Sequence, residues 1–253
     1  MLPLRDQLNG LLTIIVYTFR KVILSRRIII TLLIAAFVSV VALFVAGQDV
    51  DRLDEGSNLL DNLILFFFMP VLAMIYGSSL LRDEMDDRSI TQVVTSPLDR
   101  LVIYTGYYLG LVVSVSAIML IVLTAGFLSF FGRVGIDGDA LSVFGSMAGL
   151  MVIGAFVYSA LFMAVSVILE RPIYFGLFYA FIWEAFIGTI PGKIGTLAIK
   201  HYIRSIGEEW IQSGAISTFK EATAVADSAW VLFILTVILF VYGAYMFRTK
   251  EFA

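Results

Sequence analysis

Several kinds of residue are scarce or missing in this 253-residue sequence, and each absence excludes a class of function. There is no cysteine, so the chain has neither a disulfide framework nor a thiolate metal site. His201 is the single histidine, which excludes a metal centre built from several histidines. Charged residues make up only 15% of the chain and its net charge is −3, so it has no basic surface for nucleic acid.

Catalytic signatures are missing as well. The sequence contains no Gly-x-x-x-x-Gly-Lys-Ser/Thr loop, so the chain does not bind ATP by that mechanism. No Ser/His/Asp arrangement with a spacing logic can be built around His201. The four acidic residues between Asp83 and Asp87 could bind a divalent cation, but such a cluster beside a membrane is more often a solvated face or a protein contact. We therefore expect no catalytic residue, metal site or cofactor in this chain. The alternative is an intramembrane hydrolase.

Hydrophobic residues, in contrast, make up 60% of the sequence, and its mean hydropathy is +0.97. An ordinary soluble domain is about 45–50% apolar, so this composition indicates a chain surrounded by lipid. About 20 helical residues cross the hydrocarbon layer of a bilayer. Runs of that kind are Ile28 to Ala46, Leu59 to Leu81, Tyr104 to Phe131, Ala140 to Leu169, Ile173 to Ile190 and Ser228 to Phe247. We predict an all-α integral membrane protein, a single domain over residues 1–253 with six transmembrane helices within residues 28–247.

Lysine and arginine predict the orientation, because they are enriched in cytoplasmic loops. One side of the membrane receives Arg5, Arg20, Lys21, Arg26, Arg27, Arg82, Arg88, Arg100, Arg171, Arg248 and Lys250. The other side receives the smaller group, Arg52, Arg133, Lys193, Lys200, Arg204 and Lys220. We therefore predict that both termini are cytoplasmic and that the protein lies in the cell membrane, plasma or inner.

Residues 1–27, ahead of the first span, carry apolar side chains at three- and four-residue spacing, which is typical of an amphipathic helix. These side chains are Leu4, Leu8, Leu11, Leu12, Ile15, Phe19 and Val22. We predict an interfacial helix whose basic end, Arg20 through Arg27, meets the anionic headgroups of membrane lipids. The alternative is a simple positive flank to the first span.

Two pairs of glycines have the four-residue spacing that lets helix backbones approach closely. Gly106 and Gly110 begin the third span, and Gly145 and Gly149 lie in the fourth. We predict a helix-packing interface at each pair.

Glu184 is an ionisable side chain well inside an apolar run, 11 residues after Ile173. A carboxylate at that depth is costly and usually faces a cavity or a partner, so a functional role is the first hypothesis. The alternative is structural: the side chain caps or braces the turn at Pro191, against Lys193 or His201. Both alternatives stay open.

The most polar block of the chain is residues 82–100, on the predicted cytoplasmic side. The stretch from Ser89 to Thr95 is long enough for a short helix that Pro97 would stop. A short helix at the membrane base is an element on which a partner could act, whereas a solvated loop is the alternative.

This block resembles the first cytoplasmic loop of permeases of the type-2 exporter family of ATP-binding cassette (ABC) transporters. In that family acidic residues precede a Gly/Ser-Thr turn, a short apolar helix, Ser-x-Pro or x-Arg-Pro, an arginine and Gly-Lys-x-x-Gly. The matching residues are Glu84, Asp86, Asp87, Ser89, Thr91, Ser96, Pro97, Arg100, Gly106 and Gly110. Ser89 stands where glycine is commoner, and Tyr107 stands where the family usually has lysine.

The resemblance implies that the loop at residues 82–103 couples the chain to an ATPase subunit. The residues implied in coupling are Glu84, Asp86, Asp87, Arg88, Ser89, Thr91, Val93, Val94, Ser96, Pro97 and Arg100. A central apolar residue usually carries more of the affinity than the charged rim does. We therefore expect Val93 or Val94 to be the anchor.

A second segment is similar to one subgroup of that family, which includes the nitrous-oxide-reductase-maturation permease. The similarity lies in Phe181 to Gly192, with its Trp-Glu and Pro-Gly pairs, and in His201 to Ile206, with its His-Tyr-x-Arg-Ser run. It implies an amphipathic elbow helix at residues 1–27, a cytoplasmic coupling helix, and outer re-entrant helices at residues 191–227 between spans five and six.

The working unit implied by the resemblance is two permease chains, as a homodimer, with two ATPase subunits that bind ATP and Mg. The expected function is that of a permease subunit of an ABC exporter, which moves an amphipathic or lipid-like substrate by alternating access. The alternative is a membrane scaffold or assembly factor for another complex, without transport.

Overall fold

The computed structural model describes residues 4–48, 52–87, 90, 93, 95–189, 193–211, 219 and 222–250, and the regular structure in these ranges is helical. The α-helices are α1 (Leu4–Ile23), α2 (Ile28–Val45), α3 (Arg52–Leu59), α4 (Met69–Asp86), α5 (Arg100–Val134), α6 (Gly138–Ile168), α7 (Pro172–Phe178), α8 (Ile199–Trp210) and α9 (Val225–Thr249). A π-helix, Leu60–Phe68, joins α3 to α4, and a second π-helix, Tyr179–Glu184, extends α7. The predicted all-α class is confirmed for the described residues.

Five of the described helical segments are long and apolar enough to cross a membrane. They are α2, the continuous segment Leu53–Asp86 that contains α4, and α5, α6 and α9. These segments correspond to predicted spans one, two, three, four and six. The prediction of a multi-pass membrane protein is confirmed by them.

The run Ile173 to Ile190, predicted as the fifth span, forms a shorter helix. Continuous helix covers the 7 residues of α7 and the 6 residues of the second π-helix. At about 1.5 Å per residue this is roughly 20 Å, against about 30 Å of hydrocarbon. After a turn the chain continues in short 3₁₀ helices at Ile187–Thr189 and Gly195–Leu197. The run was predicted as a span from its apolar composition, but composition does not show where a helix ends.

The first π-helix has a physical reason in Pro70, the second residue of α4. Proline has no N–H, and its ring clashes with the carbonyl four residues before it in an α-helix. The wider π register relieves such a conflict. The amide of Met69 correspondingly bonds to the Ile64 carbonyl, five residues back. The second span therefore contains a wide turn that its apolar pattern does not reveal.

The α4, α5 and α6 helices form the centre of the bundle, and α2 and α9 lie on its outside. More than half of the most apolar window of each central span is buried, compared with 22% for α2 and for α9. The outward side chains of α2 and α9 are nevertheless large and apolar, for example Leu33, Phe44, Trp230 and Phe233. Such a surface is suited to lipid.

The α1 helix lies across the first half of α5, and its buried face differs from the predicted apolar stripe. The side chains of Ile14, Thr18 and Val22 are buried, whereas Leu8 and Leu12 are 51% and 59% exposed. Apolar residues occupy more than one side of α1, so one side packs on protein and another is left for lipid. We call this end of the bundle the α1 end; it contains α1, the loop 82–100 and the last turn of α9. We call the opposite end the α8 end; it contains α8 and the loop 135–137.

Candidate functional site

Glu84 of α4 is fully buried, and its carboxylate faces α1. It accepts hydrogen bonds from the Lys21 ammonium at 2.7 Å and from the Tyr17 hydroxyl at 3.0 Å. Burial, followed by the negative charge of Glu84, raises the pKa of the Tyr17 phenol to about 12, so the hydroxyl keeps its proton at neutral pH. The sequence predicts Glu84 on a surface for an ATPase subunit. In the structure this carboxylate lies inside the chain and fastens α1 to α4.

The neighbouring acidic residues are on the surface. Asp86 pairs with Arg82, one turn earlier in α4, at 2.8 Å. Asp83 pairs with Arg27, at the start of α2, at 2.7 Å. Asp87 ends α4 and is exposed. Because they are on the surface, these charges are accessible to a partner. Exposed ion pairs contribute about 0–1 kcal/mol to stability, so they stabilise the fold only weakly.

Between α4 and α5 the structure describes Ile90, Val93 and residues 95–99. The predicted coupling residues Arg88, Ser89, Thr91 and Val94 lie outside the described residues. Ile90 and Val93 are helical; Ile90 is buried, and Val93 packs half-buried against the core. The amide and hydroxyl of Ser96 both bond to the Val93 carbonyl, at 3.2 and 2.6 Å, and the exposed Pro97 follows. Val93, predicted as an anchor for a partner, thus has part of its side chain on the core.

The end of this loop contacts α1 and begins α5. The Leu98 side chain lies over Gly10 of α1, where a Cβ atom would come within 2.6 Å of Leu98 Cδ2. The Asp99 carboxylate caps α5 by accepting a hydrogen bond from the Leu101 amide at 2.8 Å. A displacement of this loop therefore acts on both helices.

Arg100 and Lys250 join the same loop to two further helices. The Arg100 guanidinium donates to the carbonyls of Arg248 and Lys250, at 2.7 and 3.3 Å, and so caps the C-terminus of α9. The Lys250 ammonium donates to the Val167 carbonyl, at 2.6 Å, in the last turn of α6. Cations near a helix C-terminus satisfy the free carbonyls and the negative end of the helix dipole. The ends of α5, α6 and α9 are thereby held together beside the loop.

The two glycine pairs lie in different surroundings. A Cβ atom at Gly106 would lie 2.8 Å from Ile14 Cβ, and one at Gly110 would lie 2.6 Å from Thr18 Cβ. This pair therefore lies where α1 crosses α5. Gly145, in contrast, has no described atom within 4 Å of such a Cβ, and Gly149 faces the ring of Trp210 at 3.0 Å. In the second pair, therefore, Gly149 contacts the last residue of α8, and Gly145 has no close neighbour in the described chain.

Glu184 is fully buried at the end of the second π-helix and faces the start of α8. Its carboxylate accepts hydrogen bonds from the amides of Ile199 and Lys200, at 2.9 and 3.1 Å. The Tyr179 hydroxyl donates to it at 2.7 Å, since a π-helix brings residues five apart onto one face. The described geometry is that of a cap on α8 and shows no hydrogen bond to Lys193 or His201, the partners considered from the sequence.

Asp61 is a third buried carboxylate, and it was not predicted from the sequence. Asp61 is fully buried in the first π-helix, and its charge acts on Arg204 of α8. The Arg204 guanidinium also lies over the rings of Phe66 and Phe219, at 5.6 and 4.7 Å from their centroids, which is cation–π geometry. The sequence feature that could have identified Asp61 is its position as a charged residue two places inside the apolar run that begins at Leu59. The sequence gives no sign that α8 would supply its partner.

These polar groups are suited to holding helices in place rather than to bond chemistry. Among the described residues, no group of three or more His, Asp or Glu side chains could hold a metal ion. The buried carboxylates of Glu84 and Glu184 are both engaged by donors, Lys21 and Tyr17 for the first and two backbone amides and Tyr179 for the second. Exposed acidic residues at the α1 end, Asp86 and Asp87, lie beside the ends of several helices. That arrangement can receive a protein partner and pass on its movement.

Residues 14–192 match the family model of the ABC-2 family transporter proteins. The chain belongs to this family. No curated protein matches the chain. Membership of the ABC-2 family supports a membrane permease component of an ABC transporter, which associates with an ABC ATPase and has no nucleotide-binding domain of its own. The match covers the second half of α1 and all of α2 to α7, including the whole polar loop between α4 and α5.

Proposed function

We propose that this ABC-2 chain is the permease subunit of an exporter that works as a homodimer with two separate ATPase subunits, which bind ATP and Mg. The observation that carries the proposal is the polar loop at the α1 end. Leu98 packs it on α1, Asp99 caps α5, and Arg100 holds the end of α9. An ATPase subunit docked on the exposed residues Asp86, Asp87 and Pro97 would thus act on several spans together.

The α1 end is the cytoplasmic end in this proposal, and α1 is the elbow helix. Lys21, Arg27, Arg82, Arg100 and Lys250 all belong to the larger group of predicted cytoplasmic cations. Their contacts with α4, α6 and α9 gather them at one end of the bundle. The enrichment of cations in cytoplasmic loops then favours this end for the cytoplasm of the cell.

The remaining crossing is made by α7, the second π-helix and the turns that follow, which complete six spans. The α8 helix and the segment around it are the re-entrant part at the outer side. Support comes from Glu184, which ties the start of α8 to a point roughly 20 Å along that crossing. The charge of the buried Asp61 in the second span also acts on the half-buried Arg204 of α8.

An amphipathic or lipid-like substrate is the proposed cargo. An apolar groove of about 370 Å³ runs between α6 and α9 under Ile206 of α8. Its lining is Ile153, Phe156, Val157, Ile206, Ala229, Leu232, Phe233, Thr236 and Val237. Such a surface fits an acyl chain, because it offers apolar contact with almost no hydrogen-bonding groups. The Trp-Glu, Pro-Gly and His-Tyr-x-Arg-Ser runs favour the nitrous-oxide-reductase-maturation subgroup within the family.

Co-purification of an ABC ATPase tests the proposal against the alternative of a scaffold without transport. The tagged chain would be purified from its own cells, and the ATPase subunit and its rate of ATP hydrolysis would be measured in nanodiscs. Pro97→Asp is the sharpest variant, since Pro97 is exposed whereas Val93 packs on the core. Loss of a central apolar contact should weaken ATPase binding about tenfold.

The matched control is Ile136→Asp, the same kind of change at an exposed residue of the α8 end. This variant should keep full ATPase binding. If Pro97→Asp and Ile136→Asp bound the ATPase subunit equally well, the loop would not be part of the docking surface. Absence of any ATPase in the wild-type preparation would favour the scaffold.

A further inference from the structure

A small polar hollow lies at the α1 end, where the chain turns from α1 into α2. Its volume is about 260 Å³. Helix α1 contributes Lys21, the turn contributes Ser25, Arg26 and Arg27, and α4 contributes Tyr76 and Asp83. The hollow is separate from the exposed residues proposed for ATPase docking.

The charges around this hollow favour an anion. Three cations line it, against the single carboxylate of Asp83, and the balance stays positive when Glu84, the partner of Lys21, is included. Arg27 is held by Asp83 at 2.7 Å and by the Ser79 hydroxyl at 2.6 Å. Because Asp83 is already neutralised by Arg27, a bound cation would find little unpaired negative charge.

Arg26 differs from the other two cations. It is exposed, and it makes no ion pair with any residue in the described ranges. The side chains of Lys21 and Arg27 are 32% and 38% exposed, so neither is fully enclosed by its ion pair. A phosphate group there could accept hydrogen bonds from Arg26 and from the outer N–H groups of its neighbours.

The position of the hollow indicates the source of the phosphate. Helix α2, the first membrane span, begins at Ile28, directly after the turn. Aliphatic side chains of the turn and of the first two turns of α2 are exposed: Leu24 is 82% exposed, Ile29 57% and Leu33 65%. Cations at the end of a span beside an apolar helix face match a phospholipid, with its headgroup in the interface and its acyl chains along the helix.

We propose that the hollow between Lys21, Arg26, Arg27 and Asp83 is a specific site for the phosphate headgroup of one anionic phospholipid, whose acyl chains lie against α2. The site depends on the membrane location of the chain and not on the ATPase. A bound lipid would bridge the α1–α2 turn and α4, next to the ion pair that fastens α1.

Native mass spectrometry of the full chain in detergent tests the site with phosphatidylglycerol, phosphatidylcholine and inorganic phosphate as probes. The wild-type chain should retain phosphatidylglycerol in preference to phosphatidylcholine. Arg26→Gln should weaken that retention about fivefold, the change expected for the loss of one cation beside an anionic headgroup. Arg26→Lys should keep most of it. Both substitutions are at an exposed side chain, so the thermal unfolding midpoint should not change.

Arg20→Gln is the matched control, because Arg20 is also exposed, lies next to Lys21 in the last turn of α1 and does not line the hollow. It should retain phosphatidylglycerol like the wild type. Equal weakening by Arg20→Gln and Arg26→Gln would replace the site by a diffuse basic surface and overturn the proposal. Displacement of the lipid by an equal concentration of inorganic phosphate would assign the hollow to free phosphate instead. Equal retention of phosphatidylcholine, whose headgroup has no net charge, would show that the hollow does not select an anionic headgroup and would also overturn the proposal.

Discussion

The two amphipathic helices α1 and α8 lie at opposite ends of the bundle, and different kinds of contact hold them. The α1 helix is attached by a partly exposed cation, Lys21, and by close contact with two glycines of α5. The start of α8 is attached by a fully buried carboxylate, Glu184, that binds backbone amides. Moving α1 separates the buried Glu84 carboxylate from a Lys21 ammonium that is already partly exposed to water, whereas moving α8 leaves buried amide donors without an acceptor. The α1 end is therefore easier to displace, as suits a surface on which an ATPase subunit acts.

The largest expected effect is at the α8 end. Glu184→Leu leaves the amides of Ile199 and Lys200 and the Tyr179 hydroxyl without their acceptor, which should cost about 3 kcal/mol. Glu184→Gln keeps one carbonyl oxygen as an acceptor and should cost about 1 kcal/mol. Thermal or denaturant unfolding of the reconstituted chain measures both. Equal stability of the two variants would show that the Glu184 cap contributes little.

Glycine substitutions test the α1 contact with α5. In Gly110→Ala the new Cβ atom meets Thr18 Cβ and the Ile15 carbonyl, and the resulting overpacking should destabilise the protein by about 1–3 kcal/mol. Gly145→Ala is the control, because its Cβ meets nothing described within 4 Å; the better helix propensity of alanine should make it neutral or stabilising by up to about 1 kcal/mol. A similar loss in both variants would contradict the assignment of Gly110 to the α1–α5 contact.

The next expected effect concerns the ion pair between Lys21 and the buried Glu84. Lys21→Met leaves the Glu84 carboxylate with Tyr17 among its donors and should destabilise the attachment of α1 by about 2 kcal/mol. Combining it with Glu84→Gln should restore part of that loss, because the uncompensated charge is then removed. A double-mutant cycle on unfolding midpoints measures the coupling. Simple additivity of the two substitutions would mean that the pair does not hold α1.

The smallest effect is expected for Arg82→Gln. The pair of Arg82 with Asp86 lies on the surface within one helix, and such pairs contribute about 0.3–0.5 kcal/mol. The stability of the chain should therefore be almost unchanged, while ATPase binding reports any role of this charge in docking. If Arg82→Gln lost as much stability as Lys21→Met, the exposed and the buried ion pair at this end would contribute equally to stability, contrary to this account.

The sequence predicted the spans well where apolar length alone decides. Five of the six predicted runs are membrane-length helical segments, but the run containing Glu184 is not, because helix termination depends on local hydrogen bonding. The polar loop at residues 82–100 was found from its charge density. The burial of Glu84 was not predicted, since it follows from α1 folding back onto α4, a contact between residues far apart in the chain. Identical glycine spacing also failed to distinguish Gly110 from Gly145, because spacing does not show which neighbour lies opposite.

The central claim, that the α1 end faces the ATPase subunit, is tested most directly by site-specific crosslinking. The chain has no cysteine of its own, so single substitutions can be labelled without background. Asp87→Cys and Asp139→Cys place one exposed cysteine at the α1 end and one at the α8 end. With a photoreactive maleimide, the complex should crosslink to the ATPase subunit from position 87 and not from position 139. Crosslinking from position 139 alone would contradict both the proposed orientation and the proposed docking surface.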